Sequence, residues 1–261
     1  MDTLQAVLLG IVQGITEFLP VSSSGHLQIA KELLGVEIEN NITFDVTLHA
    51  ATVLSTLVVM RAEVARLARG VFACRYTPEQ AYVLKIILSM IPAGVVGIAF
   101  GDRLEELFGT LWFVGAMLLV TAALLAFAYY ARPRQKSDIS YRDAFIIGLA
   151  QAAATLPGLS RSGSTIATGL LLGDAKPTTA RFSFLMVIPV ILGKMLLDIL
   201  SGDMAAMSVP GSALAGGFIA AFVVGALACK FMIRIVERGR LVWFALYCAV
   251  VGAVCITSYL F

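Results

Sequence analysis

Two polar breaks constrain this chain more than any other feature. The stretches 16-TEFLPVSSSGH-26 and 157-PGLSRSGST-165 each interrupt apolar sequence with a proline, serines, a glycine and a charged residue. Each leads into an apolar run, 24–35 or 161–173, that falls short of the roughly 20 residues a spanning helix needs. A break followed by a half-length run reads as one re-entrant helix pair, spanning 3–35 in the first case and 142–173 in the second. Six longer runs complete the pattern: 44–60, 82–100, 111–131, 182–200, 210–232 and 241–260. With 59% hydrophobic and only 14% charged residues, the chain is a polytopic membrane protein, since soluble domains carry charge on about a quarter of their residues. Asp2 stands where a signal peptide would be basic, and the first run ends in the polar break instead of a cleavage site, so that run is read as part of the fold. No basic tail, aromatic–basic pattern or low-complexity segment points to nucleic acid. Cys74, Cys229, Cys248 and Cys255 form no CxxC pair and read as small apolar residues.

The two breaks are related by a constant offset of 138. Gly10 meets Gly148, Gln13 meets Gln151, Ser22 meets Ser160 and Ser24-Gly25 meets Ser162-Gly163. The register runs on without a gap through Leu33-Leu34-Gly35 and Leu171-Leu172-Gly173 to Phe44/Phe182 and Leu54/Leu192. Loops 61–80, 132–142 and 230–240 are rich in arginine and lysine, whereas 101–110 is largely acidic and 201–209 holds only Asp203. The positive-inside rule assigns the three basic loops to the cytoplasm. The resulting expectation is an all-α protein of six transmembrane helices plus two re-entrant pairs, with both termini outside. Three spans separate the pairs, and an odd number of crossings makes the repeats inverted. A single membrane domain, 1–261, is then built from repeats of approximately 1–131 and 139–261. Inverted repeats of broken helices place their sites near the bilayer midplane.

There the polar breaks have a use. Irregular backbone and charge are tolerated at that depth where they line a protein cavity, and a charged residue there is normally functional or paired. Gln13 and Glu17 are four apart and share a helix face. Pro20 stops the first helix, and Ser22, Ser23 and Ser24 suit the cap of the next. A helix N-terminus and the Arg161 guanidinium both favour phosphate oxygens. Glu17, Ser23 and His26 beside such an anion site point to chemistry as well as binding. Plainer readings accompany these. Ser22, Ser24, Ser162 and Ser164 fit ordinary capping or back-bonding to helix carbonyls, His26 fits a packed interior residue, and Glu17 with Arg161 fits an ion pair holding the hairpins together. His49 with Asp45, and Lys194 with Asp198, are read as packing and pairing residues; the glycine-rich stretch 211–225 is read as a close helix contact.

The stretches 13-QGITEFLPVSSSGH-26 and 157-PGLSRSGSTI-166 resemble the undecaprenyl-diphosphate phosphatase family, also called the bacitracin-resistance protein family. The runs 44-FDVTLHAATVLS-55 and 141-YRDAFIIGLAQ-151 resemble it too, so the likeness spans essentially the whole chain. The resemblance implies an integral membrane hydrolase of the bacterial cell membrane that removes the terminal phosphate of the C55 lipid diphosphate. It thereby regenerates the monophosphate carrier for peptidoglycan and other wall polymers. It implies the same six-span, two-hairpin inverted fold, a site opening on the outer side, and dependence on a divalent cation such as Mg²⁺ or Ca²⁺. The family's functional residues fall on Glu17, Ser23, His26, Ser160, Arg161 and Thr165. The expected site is therefore catalytic at Glu17, Ser23, His26 and Arg161. It binds substrate through Gln13, Ser22, Ser24, Gly25, Ser160, Ser162, Gly163 and Thr165, with Glu17 as the metal ligand. Gln13 stands where some members have a second glutamate, which removes one carboxylate from a metal pair; Ala51 replaces a glycine. Ser23 is the candidate nucleophile, with Glu17 or His26 as its base; a phosphoserine intermediate and direct attack by water stay open. A homodimer is a further expectation. The alternative reading is a lipid-phosphate or anion transporter using the same midplane site, an architecture that broken-helix repeats also serve.

Overall fold

A computed structural model describes residues 1–36, 42–73, 75–105, 110–130, 135–200 and 209–260. Among the described residues there are eleven helices: α1 (Thr3–Thr16), α2 (Ser23–Leu33), α3 (Ile42–Val59), α4 (Arg61–Val71), α5 (Pro78–Glu105), α6 (Leu111–Tyr130), α7 (Tyr141–Ala153), α8 (Arg161–Leu172), α9 (Lys176–Leu200), α10 (Gly211–Arg238) and α11 (Val242–Leu260). Four are long and apolar enough to cross a membrane, over Pro78–Gly101, Leu111–Tyr130, Lys176–Leu197 and Gly211–Arg238. Counting α3 and α4, bent by 83° at Met60, as one broken span raises the number to five. Their outward faces are apolar: Ile91, Val95, Ile98, Phe127, Leu196, Leu227 and Phe231 are exposed, as lipid contact requires. The expected residues Cys74, Glu106, Arg132, Arg134 and Asp203, and the side chain of Asp198, lie outside the described residues.

Local chemistry explains the short helices. Asp2 caps α1 in a reciprocal capping box with Gln5, and Ser140 caps α7 through the Asp143 N–H at 3.0 Å. Ser22 and Ser160 cap α2 and α8 by accepting the Gly25 and Gly163 N–H groups. The chain leaves α2 and α8 through Gly35 and Gly173, both at positive φ. Each of these pairs lies 138 residues apart, so the offset seen in the sequence recurs in the caps. The stretch 61–80, expected as a loop, contains α4. No proline or glycine interrupts it before Gly70, Arg66 bonds Glu63 one turn back at 2.7 Å, and Leu67 is buried in the core.

Packing crosses the chain's midpoint. The main partner of α1 is α10, that of α7 is α5, and α6 packs along α11. In α10, Gly217 and Gly225 let neighbouring backbone come close: a Cβ at Gly14 would stand 2.8 Å from the Gly225 nitrogen. The glycine-rich stretch thus serves helix contact, the favoured route to close packing in lipid. The largest buried cluster joins Phe18, beside the first break, to Ile147, Ile166, Phe182 and Phe184 of α7, α8 and α9. Cys229, Cys248 and Cys255 are buried free thiols. Where α8 passes to α9, Lys136 and Asp174 form an isolated parallel bridge. The Asp174 carboxylate is fully buried and has no hydrogen-bond partner among the described residues. Burial, then the nearby Asp143 charge, pushes its pKa up to about 6.

Candidate active site

Residues 17–22 follow α1 and residues 154–160 follow α7; the two tips meet. Ser162 Oγ donates to the Leu19 carbonyl at 3.1 Å, and the Ser160 N–H donates to Thr121 Oγ1 on α6 at 3.0 Å. Gly158 sits at φ +89 with its Cα against α6, where a Cβ would stand 2.5 Å from the Val114 carbonyl oxygen. Gly25 faces the same place: its own Cβ would meet Val114 Cγ1 at 2.9 Å and the Gly158 Cα at 3.3 Å. A side chain at Gly158 would push the second tip off α6, and one at Gly25 would press on both Val114 and Gly158.

The tips share one carboxylate. Glu17 is the residue at which α1 ends, and it is buried. Its Oε2 accepts Ser23 Oγ at 2.7 Å and Gln13 Nε2 at 2.9 Å. Its Oε1 accepts Arg161 Nη2, an ion pair that joins the first residue of α8 to the end of α1. A fourth helix reaches the same point, with His49 Nε2 of α3 lying 3.9 Å from Glu17 Oε2. His49 Nδ1 donates to the Asp45 carbonyl at 2.8 Å, and Asp45 pairs with Lys31. The pairing role expected for Asp45 is therefore seen, but His49 also faces the carboxylate. Nothing in the sequence marks His49 beyond its being a histidine within an apolar run, so sequence reasoning missed it.

Not every expected residue converges on that carboxylate. The half-buried His26 gives Nδ1–H to the Ser22 carbonyl at 2.8 Å, and its Nε2 is 2.8 Å from the Tyr247 hydroxyl of α11. Both ring nitrogens are engaged, and of the two candidate bases it is the Glu17 carboxylate that lies within hydrogen-bond distance of Ser23 Oγ. Thr165 Oγ1 turns back to the Arg161 carbonyl at 2.9 Å and meets Ser183 Oγ of α9 at 2.6 Å, away from the tips. Ser22 and Ser24 face each other at 3.3 Å, as do Ser160 and Ser162 at 3.4 Å. Ser164 Oγ is buried without a partner among the described residues. The first-turn N–H groups of α2 and α8 open beside Ser23 and Arg161, the donors an anion would use.

Glu17 and Gln13 provide the oxygens a divalent cation would need. The described residues contain no group of three His, Cys, Asp or Glu side chains able to hold a metal. Gln13 Oε1, however, is buried and has no partner among the described residues, while its Nε2 donates to Glu17. One carboxylate plus one amide oxygen fits a hard cation that takes its remaining ligands from water and substrate phosphate, the usual manner of Mg²⁺.

Comparison with known proteins gives the arrangement its context. The family model described as bacitracin resistance protein BacA matches residues 6–254. The undecaprenyl-diphosphatase of Bacteroides fragilis is 58% identical over 260 residues, covering 98% of each chain. That of Parabacteroides distasonis is likewise 58% identical over 260 residues at 98% of each chain. That of Methanosphaera stadtmanae is 37% identical over 273 residues, again at 98% of each. With both polar breaks inside the matched region and near-complete coverage of its relatives, this chain belongs to the bacitracin resistance protein BacA family.

Proposed function

We propose that this chain is an undecaprenyl-diphosphatase, a membrane hydrolase that converts undecaprenyl diphosphate to undecaprenyl phosphate and inorganic phosphate. The reading is carried by near-full-length identity to proteins of that name. The contact between Ser23 and a buried carboxylate that also holds Arg161 suits it. Its product is the lipid carrier of cell-wall synthesis, and the same activity accounts for the bacitracin-resistance name of the family. The relatives named above carry a hydrolase's name and not a carrier's, which leaves the transport alternative without support.

In the mechanism we favour, the prenyl tail lies in lipid between helices and the diphosphate enters at the hairpin tips. The terminal phosphoryl group takes Arg161 from Glu17 and is held by the N–H groups that Ser22 and Ser160 frame. Released from its ion pair, Glu17 accepts the Ser23 proton. Ser23 Oγ bonds to the terminal phosphorus as the bridging P–O bond breaks, and undecaprenyl phosphate leaves with that oxygen. Water then cleaves the phosphoserine and releases phosphate. Direct attack by water, with Glu17 as base and Ser23 orienting it, balances equally. Charge stabilisation and positioning do most of the work in phosphoryl transfer. Ser24, Gly25, Ser162 and Gly163 shape the cradle in this scheme, while Thr165 braces α8 against α9. Glu17 and Gln13 Oε1 would hold Mg²⁺ or Ca²⁺, whose chemistry there is to neutralise diphosphate oxygens.

The architecture that goes with this reading has six spans and two re-entrant pairs in inverted repeats of approximately 1–131 and 139–261. It places the basic loops in the cytoplasm and both termini and the site opening on the outer side of the bacterial inner membrane. The recurrence of caps at the 138-residue offset supports it. A homodimer is compatible with it. The decisive experiment is phosphate release from undecaprenyl diphosphate by the detergent-solubilised protein with Mg²⁺ or Ca²⁺, beside Glu17→Ala and Arg161→Ala. Release lost in both folded variants supports the reading. No release by folded wild type under either cation would reject it.

A further inference from the structure

Tyr247 lies outside both polar breaks, on α11, yet it makes one of the two hydrogen bonds that fix His26. Ser22 O can only accept, so His26 Nδ1 carries the proton toward it, and Nε2 of the neutral ring is an acceptor. The Tyr247 hydroxyl stands 2.8 Å from that nitrogen and is its donor. The two rings are nearly parallel, 17° apart with centroids at 5.5 Å, so the phenol also limits how far the imidazole can rotate. The contact is anchored by the next residue. Cys248, fully buried, gives its thiol to the Pro20 carbonyl at 3.5 Å. Two consecutive residues of α11 thus grip the polar break at Pro20 and at His26, which sets the rotation of α11 about the hairpin. Tyr247 itself is 44% exposed, His26 and Ser23 are half-buried, and Glu17 is buried.

We propose that Tyr247 is a positioning residue of the phosphatase reaction: its hydroxyl holds His26 as the neutral Nδ1–H tautomer, with Nε2 turned to the open edge of the lipid diphosphate's binding cradle. This rests on the phosphatase reading given above. In free enzyme the phenol keeps Nε2 occupied. When a diphosphate reaches the α2 N-terminus, the hydroxyl can rotate toward a phosphate oxygen and leave Nε2 as an oriented lone pair that takes a proton from the water attacking the phosphoryl group. Phenylalanine at 247 would keep the ring packing and lose the tautomer and the aim.

The chain has two histidines, so ¹⁵N spectra of histidine-labelled protein are readily assigned with His26→Ala. Wild type is expected to show His26 protonated at Nδ1, with Nε2 unprotonated and hydrogen-bonded. In Tyr247→Phe the Nε2 resonance should move to that of a free lone pair, kcat should fall about tenfold, and KM should stay within about twofold, the size of one neutral hydrogen bond read in the rate. A wild-type His26 protonated at Nε2 would overturn the proposal, and that spectrum needs no variant to fold. A folded Tyr247→Phe with an unmoved resonance and unchanged kcat would overturn it equally. Wild type that releases no phosphate would instead remove the phosphatase reading, while its spectrum would still judge the Tyr247–His26 bond.

Discussion

Replacing Glu17 by glutamine isolates what the shared carboxylate does for the fold, apart from any catalysis. The side chain of Glu17 is 5% exposed and that of Arg161 19% exposed, so neither is well screened by solvent. Glutamine keeps the shape and one acceptor oxygen, but it leaves the guanidinium without a counter-charge. Removing one partner of a buried pair costs about 3–5 kcal/mol. The amide also cannot accept from Ser23, Gln13 and Arg161 together, adding about 1 kcal/mol for an unmade hydrogen bond. A loss of about 4 kcal/mol is therefore expected for Glu17→Gln. Arg161→Gln should lose a similar amount by leaving the carboxylate bare. The double substitution removes both charges and should recover about 2–3 kcal/mol relative to the sum, the signature of direct coupling. Reversible unfolding in mixed micelles, followed by tryptophan fluorescence for all four proteins, measures the cycle. Additivity within about 0.5 kcal/mol would refute the claim that this pair clamps the two hairpins.

Other expectations follow from the same contacts. Ser23→Ala should leave the melting temperature within a few degrees and lower phosphate release at least about a hundredfold if Ser23 Oγ is the nucleophile; retained release would assign attack to water. Gly158→Ala needs a left-handed residue to carry a Cβ into the Val114 carbonyl, so it should destabilise by about 2–4 kcal/mol, read as lost yield and lowered melting temperature. Asp174 has its folded pKa raised to about 6 from an ordinary 3.8, so the native state binds the extra proton and loses stability as pH rises through that interval. Asp174→Asn should accordingly stabilise by about 1–2 kcal/mol above pH 6 and do little near pH 4, as thermal melts across pH would show.

The breaks, their caps and the residues Gln13, Glu17, Ser23 and Arg161 could be read directly from the sequence because helix-stopping and capping chemistry acts within a few residues. Ser22 and Ser160 cap as their type and spacing predict. What escaped is carried by contacts across the chain. His26 meets Tyr247 from 221 residues away, and the local motif gives no hint that both its nitrogens are engaged. Thr165 belongs to the motif by position, yet Ser183 turns it toward α9, because a buried hydroxyl takes the partner that packing brings. His49 reaches Glu17 only because α3 packs beside α1 and α10. The helix α4 was hidden by its charge, since arginines that mark a cytoplasmic loop serve equally well on an amphipathic helix.

The exchange of partners across the midpoint has a consequence for how the protein is made. α1 emerges first, but α10 begins roughly 200 residues later, which at 5–20 residues per second is about 10–40 s of translation. Arg161 follows Glu17 by 144 residues, about 7–29 s at the same rate, and until then Glu17 waits in or near the bilayer with Gln13, Ser23 and His49 made but without its countercharge. A nascent chain so long without its countercharge is an expected client for insertion chaperones. A ribosome stalled before α8 would leave a product that the membrane's quality-control proteases can recognise by its unshielded polar break.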